Sequence, residues 1–355
     1  MATGIGFKTI MGCAKQADFR TAVTSSDRLL LMSEGISWDY GTVMHEYLHG
    51  GAGSLKTQRT SEPVGGSVEI AVPYTEMSGV QFVSASLPIA LAFGATTWDA
   101  VNSVNQITLS NELSSFGTYA WDKGMDATYP WELTGGMISS LSLSCAAGDS
   151  LKASIDMSGY NLAIDNSTTT TLAELAALPS DVPNLCIFTD MTFRVNYQEG
   201  ALDSGDEIGI SEFSLSVNNN LTDFEQTSPD DGSSHTDTMK TIQPIRNGTR
   251  EVTFEFAMPR YESDYFFSRL SSDSNLQASI KFQNPTDARY MEILLPNFKV
   301  ESVEASVGGA GAVTQSISCR CFKTNADSDL AFTDTATSEG EVWIETSDER
   351  TASIL

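Results

Sequence analysis

Two stretches decide the fold: Ser67-Val68-Glu69-Ile70-Ala71-Val72-Pro73 and Glu251-Val252-Thr253-Phe254-Glu255-Phe256-Ala257-Met258-Pro259. In the first, Val68, Ile70 and Val72 point one way; in the second, Phe254, Phe256 and Met258 do so. Alternation with period two puts successive side chains on opposite faces, so each stretch predicts a strand with one buried face. Each ends at a proline, Pro73 or Pro259, 186 residues apart.

Working outward, further blocks repeat in the same order. Ser33-Glu34-Gly35-Ile36-Ser37 lines up with Ser211-Glu212-Phe213-Ser214-Leu215 at an offset of 178, and each opens a strand. Long polar loops follow, roughly residues 39–66 and 218–250. After the paired strands comes a short helical pattern in each copy. In the first, Thr75 is the expected N-cap, Val80, Val83 and Leu87 form the apolar face, and Pro88 is expected to end or kink the helix. In the second, Tyr261, Tyr265, Phe266 and Leu270 play that part. Closing strands then match at an offset of 162: Leu141, Leu143 and Cys145 with Val303, Ala305 and Val307, and Ile155 and Met157 with Ile317 and Cys319. The first copy is longer between helix and closing strands, around residues 94–136. Four blocks in one order predict an internal duplication.

The expected organisation is an N-terminal arm over 1–25, a first β domain over 26–164, a linker over 165–185, a second β domain over 186–325 and an acidic tail over 326–355. The linker is Thr- and Ala-rich, with a short helix expected from about Thr171 to Leu178 before Pro179 and Pro183 break it. The tail holds one strand candidate, Glu341 to Glu345. Gly308-Gly309-Ala310-Gly311 reads as a hairpin turn, since it lacks the lysine of a phosphate loop.

Against 20 Lys and Arg stand 46 Asp and Glu, a net charge of −26. The excess is spread as −8 over residues 1–165, −11 over 166–325 and −7 over 326–355. Such a surface repels nucleic acid phosphates and anionic membranes. No uninterrupted apolar run of membrane-spanning length occurs, and residues 1–12 carry no secretory leader pattern. The five cysteines include no CxxC pair and read as small core residues of a reducing compartment.

One motif argues for an enzyme. His45-Glu46-Tyr47-Leu48-His49 fits H-E-x-x-H, in which two imidazoles one helical turn apart bind Zn²⁺ and the glutamate acts as general base. Its context is poor. Gly41 precedes the motif, Gly50, Gly51 and Gly53 follow it, and the other histidine, His235, lies in a distant polar loop. The expected reading is therefore no catalytic residue, no metal and no cofactor, with a zinc peptidase using His45, Glu46 and His49 as an alternative. A β-rich decoration or adhesin protein of a virion is the other alternative.

The blocks together resemble the large tail tube proteins of long-tailed bacterial viruses. Asp18-Phe19-Arg20-Thr21-Ala22 is similar to their N-terminal segment, with Arg20 where they carry glycine. Ser33-Glu34, the segment ending in Gly50-Gly51, Gly65-Gly66-Ser67-Val68-Glu69-Ile70, Ile210 to Asn219, Leu294-Leu295-Pro296-Asn297 and the strand from Val300 resemble their successive strands. The resemblance covers about residues 6–324. It implies an all-β fold with short flanking helices, built as two tandem tail-tube-like β-sandwich or barrel domains. It further implies a structural virion protein, not an enzyme, that polymerises with itself as stacked rings into the hollow tube through which DNA is ejected. Two copies per chain imply a trimer with pseudo-sixfold symmetry sooner than a hexamer. The implied partners are the tape measure and tail completion proteins; DNA would pass without specific binding, and no membrane is involved. The implied location is the virion tail, assembled in the host bacterial cytoplasm. The two long loops are candidates for contacts between rings.

Overall fold

The computed structural model of the protein describes residues 6–44, 57–78, 81–124, 129–164, 167–181, 183–198, 200, 202–225, 241–307, 311–323, 340–347, 350 and 352–355. The described chain is mostly strand. In the first half run β1 Met11–Lys15, β2 Asp27–Glu34, β3 Ser37–Trp38, β4 Gly41–Met44, β5 Thr57–Ser61, β6 Val64–Ala71, β7 Glu76–Ser78 and β8 Gln81–Val83. Helix α1, Ser86–Phe93, follows, then β9 Gly94–Asp99, β10 Val104–Leu109, β11 Gly117–Trp121, β12 Trp131–Ala146, β13 Lys152–Gly159 and β14 Asn161–Ala163.

Six of these strands close a barrel. β1 pairs with β2, β2 with β6, β6 with β13, β13 with β12, β12 with β11, and β11 returns to β1. Closure leaves no open edge within the ring of pairs, and alternate side chains fill its interior. Met11, Cys13, Val68, Ile70, Tyr119, Trp121, Leu133 and Ile155 are all almost wholly buried. The segment between β1 and β2 docks on β12. Gly135 there has a φ of 70°, and a Cβ at this position would lie 2.4 Å from the Phe19 carbonyl oxygen, so glycine is required.

After β14 the chain forms helix α2, Leu172–Ala177. Thr171 and Glu174 make a reciprocal capping box, and Leu175 and Leu178 pack on Ala120. The sequence predicts a short helix from about Thr171 to Leu178, and one stands there. The second half holds β15 Met191–Tyr197, β16 Glu212–Asn218, β17 Leu221–Glu225, β18 Thr241–Arg246, β19 Glu251–Met258, helix α3 Tyr265–Ser272, β20 Leu276–Gln283, β21 Tyr290–Glu304, β22 Gln315–Cys321 and β23 Trp343–Ser347.

The second half repeats five of the six pairings of that ring. β16 pairs with β19, β19 with β22, β22 with β21, β21 with β20 and β20 with β15. Among the described residues no ladder joins β15 to β16, so this second ring stays open where the first closes. The insertion in the first half is the β9–β10 ribbon. β23, from the acidic C-terminal segment, lies between β10 and β21 and so ties the ribbon to the second half.

The pairings also fix the repeat offsets. β12 carries a bulge between Ile138 and Ser140, and β21 carries one between Val300 and Ser302. That is the offset of 162 read from the closing strands. The other two offsets move. Ile155 stands opposite Val68, and Ile317 opposite Phe256, so β6 and β19 are related by 188, not 186. A slip of two keeps the same face. Glu34 stands opposite Val68, and Phe213 opposite Phe256, so β2–β3 and β16 are related by 179, not 178. A slip of one exchanges the faces. The shared Ser-Glu letters had aligned Glu34 with the outward Glu212, whereas Glu34 shares the side of the buried Phe213.

The first helix also differs from the expectation. Glu76–Ser78 and Gln81–Val83 pair as antiparallel strands β7 and β8, and β8 also pairs parallel with β2. Val80 lies outside the described residues. β-branched valines favour strand, and the edge of β2 offers the ladder. Thr75 bonds the hydroxyls of Ser84 and Ser86 and caps no helix at that point. α1 starts at Ser86, so Pro88 falls in its first turn, where an N–H has no intrahelical partner to lose. The helix ends at Gly94, with φ at 93°.

Candidate functional site: a serine- and carboxylate-lined sheet face

The closing strand of the first half pairs with the opening strand of the second. Ser140 to Ala146 of β12 run antiparallel to Glu212 to Asn218 of β16. This seam joins the halves into one continuous sheet in the order β2–β3, β6, β13, β12, β16, β19, β22, β21. Alternation along every strand gives this sheet two unlike faces.

One face is core. Leu141, Leu143, Phe213, Leu215, Val217, Phe254, Phe256, Ile317 and Cys319 are all at most 3% exposed. Phe254 stacks on Phe256 at 5.3 Å between ring centres, and Phe193 packs on both.

The other face is polar across every strand. Ser144 stands opposite Ser214, Ser214 opposite Glu255, Glu255 opposite Ser318 and Ser318 opposite Ser302. A parallel row runs Glu69, Ser154, Ser142, Ser216, Thr253, Arg320. A third runs Asp156, Ser140, Asn218, Glu251. An open groove of about 620 Å³ crosses this face over β12, β16, β19, β22 and β21.

The face is acidic and holds its cations. Lys152 Nζ meets Asp149 at 2.5 Å, which raises the lysine and holds Asp149 below its usual value. Arg320 meets Glu251 at 2.9 Å and Glu301 at 2.6 Å, and its pKa is raised chiefly by the hydrogen bond to Glu301. Glu69, Asp156, Glu212, Glu255 and Glu304 add carboxylates to the same face. Short hydroxyls between them, such as Ser140 donating to Asp156 at 2.8 Å, leave a smooth surface without long apolar side chains. It is suited to passing a polyanion without holding it, because its carboxylates repel phosphates while Lys152 and Arg320 are engaged in ion pairs.

His45, Glu46 and His49 lie outside the described residues, as does His235. Among the described residues no group of His, Cys, Asp or Glu is placed to hold a metal. All five cysteines are buried and free, and burial pushes their thiols up in Cys13, Cys145, Cys186, Cys319 and Cys321, Cys145 to about 11. A buried neutral thiol is a poor nucleophile. No helix of the described chain is long and apolar enough to cross a membrane. The two long loops begin as hairpins, β4–β5 and β17–β18, at the same place in each half; their tips lie outside the described residues.

The polar face went unread in the sequence, although its signal is there. Ser140, Ser142 and Ser144 alternate in one strand, Ser214 and Ser216 in its partner, and Ser316 and Ser318 in β22. Alternation located the buried members and left these as their complement.

No curated protein matches the chain. A family model, phage tail tube protein, matches residues 7–321, nearly the whole of it. The β-rich repeat with its closed barrel, its joined sheet and this match agree, and the chain belongs to the phage tail tube protein family.

Proposed function

We propose that this chain polymerises as stacked rings into the hollow tube of a phage tail, that the serine- and carboxylate-lined face forms the lumen, and that DNA passes along it during ejection. The single observation that carries this reading is the eight-stranded sheet with one core face and one face of serines, carboxylates and small side chains. A sheet of that kind is half of a domain core on one side and a solvent channel wall on the other. Each chain brings two repeats to the wall, which favours a trimer with pseudo-sixfold symmetry over a hexamer. The tape measure and tail completion proteins are the further partners, and assembly takes place in the host bacterial cytoplasm. The protein catalyses nothing on this reading.

Electron microscopy of the purified protein tests it. Rings or tubes with an open centre and six similar lobes built from three chains are expected. Monomers at every concentration, even with the other tail components present, would count against it.

A further inference from the structure

We infer that the C-terminal end of β21 in one copy pairs with the free edge of β2–β3 in the next, in the register that β12 and β16 already use within the chain. The inference rests on the self-assembling reading above and specifies its interface.

The internal seam supplies the template. On one edge β12 pairs with β11 near its start and with β16 near its end. On the other it pairs with β14 and β13. β21 repeats three of these four pairings, with β20 for β11, β23 for β14 and β22 for β13. Among the described residues no strand takes the fourth place, beside Lys299–Glu304. Likewise β16 is held between β12 and β19, whereas among the described residues its counterpart Ser33–Asp39 has β6 on one edge only. The first half's closing strand and the second half's opening strand thus satisfy each other, and the two edges left over are the same two kinds. Such a head-to-tail interface adds copy to copy until the ring closes.

Exposure marks the same edge. Leu141, Leu143 and Cys145 are 1%, 1% and 3% exposed in the internal seam. Their counterparts at the offset of 162 are Val303, Ala305 and Val307. Val303 and Ala305 are only half-buried, and Val307 is 77% exposed. Applying both offsets places Val303 opposite Trp38, Ala305 opposite Ile36 and Glu304 opposite Ser37 of the next copy. Val303 and Trp38, and Ala305 and Ile36, then meet on the core side, where Val307 falls opposite Glu34. On the polar side no two like charges stand directly opposite, as cross-strand pairing requires.

Disulfide trapping tests the register. Ser37→Cys with Glu304→Cys is expected to give a ladder of covalent multimers from assembled protein on non-reducing gels, absent from either single variant. Ser142→Cys with Ser216→Cys, the same positions in the internal seam, should close within one chain and give no ladder. Rings in which the second pair closes and the first does not would overturn the interface while leaving self-assembly standing. A wild-type protein that never forms rings would instead remove the reading beneath it. Amide exchange on the wild-type needs no variant. On assembly, exchange in 33–38 and 299–305 should slow by about tenfold or more, and unchanged exchange in assembled rings would equally overturn the pairing.

Discussion

Arg350 donates through Nη2 to the Asp27 carboxylate across 323 residues of sequence. Asp27 lies in β2, where it stands opposite Cys13 of β1, and its side chain is 3% exposed. The guanidinium of Arg350 also lies 3.9 Å from the Phe82 ring centre. Arg350 thus closes over the start of β2. Removing one partner of a buried pair strands the other charge, at a cost of about 3–5 kcal/mol. Arg350→Ala should therefore lower the urea midpoint markedly. Adding Asp27→Asn, which removes the stranded charge, should recover part of the loss. A single variant with an unchanged midpoint would show that Asp27 finds water or another donor.

Much of the frame was legible because period two is a local property. The alternations at Val68–Ala71 and Phe254–Met258 lie in strands, and Leu172–Ala177 is a helix with the Thr171 cap. What could not be read was register. Ser33-Glu34 and Ser211-Glu212 share letters, yet ladder pairing sets Glu34 beside Val68 and Phe213 beside Phe256, one residue away. Letter identity carries no information on which neighbour a strand adopts. The β7–β8 pairing was missed for a related reason: Val83 sits at helical spacing from Leu87, but β2 offers it a ladder. The polar face needed the β12–β16 pairing, which joins residues some seventy positions apart, before its serines lined up.

Glu292 and Glu345 stand directly opposite each other where β21 meets β23. Burial, with a smaller push from Glu292, raises the Glu345 carboxyl above its usual value of 4.5, although Gln106 donates to it at 3.1 Å. A raised carboxyl favours the protonated form in the fold. Its contribution is complete below the unfolded value and is lost as pH rises through the folded one. Glu345→Gln should remove that loss, so the variant should be the more stable at pH 7 by up to about 1 kcal/mol. The gap should vanish towards pH 4. Thermal unfolding of both proteins at pH 4, 5, 6 and 7 measures it, and a gap that grows on acidification would reverse the assigned sign.

Glu132 is 1% exposed, and its carboxylate accepts from the backbone N–H groups of Thr169 and Thr170, each at 2.7 Å. Thr170 in turn bonds Ser25. The residues entering α2 are thereby fastened to β12. Glu132→Ala leaves the buried N–H of Thr170 and the part-buried N–H of Thr169 unmet, a loss on the order of 1–3 kcal/mol. The expected readout is a lower unfolding free energy, with faster proteolysis near residues 167–181 than elsewhere. Uniform proteolysis across the chain would mean the bonds matter to global stability alone.

Ser144, Ser214 and Ser318 lie in one row of the polar face, with Glu255 between the last two. If that row lines the channel, its weak hold on DNA comes from carboxylates and hydroxyls, and cations placed there should reverse it. The variant with Ser144→Lys, Ser214→Lys and Ser318→Lys keeps the strand pairing, because all three side chains point away from the core. It should still form tubes of the same width. Those tubes should now retain short DNA at low salt and release it as salt rises, with a slope near one per phosphate neutralised. The wild-type tubes should retain none. Equal retention by both would place the row outside the path of the DNA, since an added charge of three per subunit cannot be silent on a surface that phosphates touch.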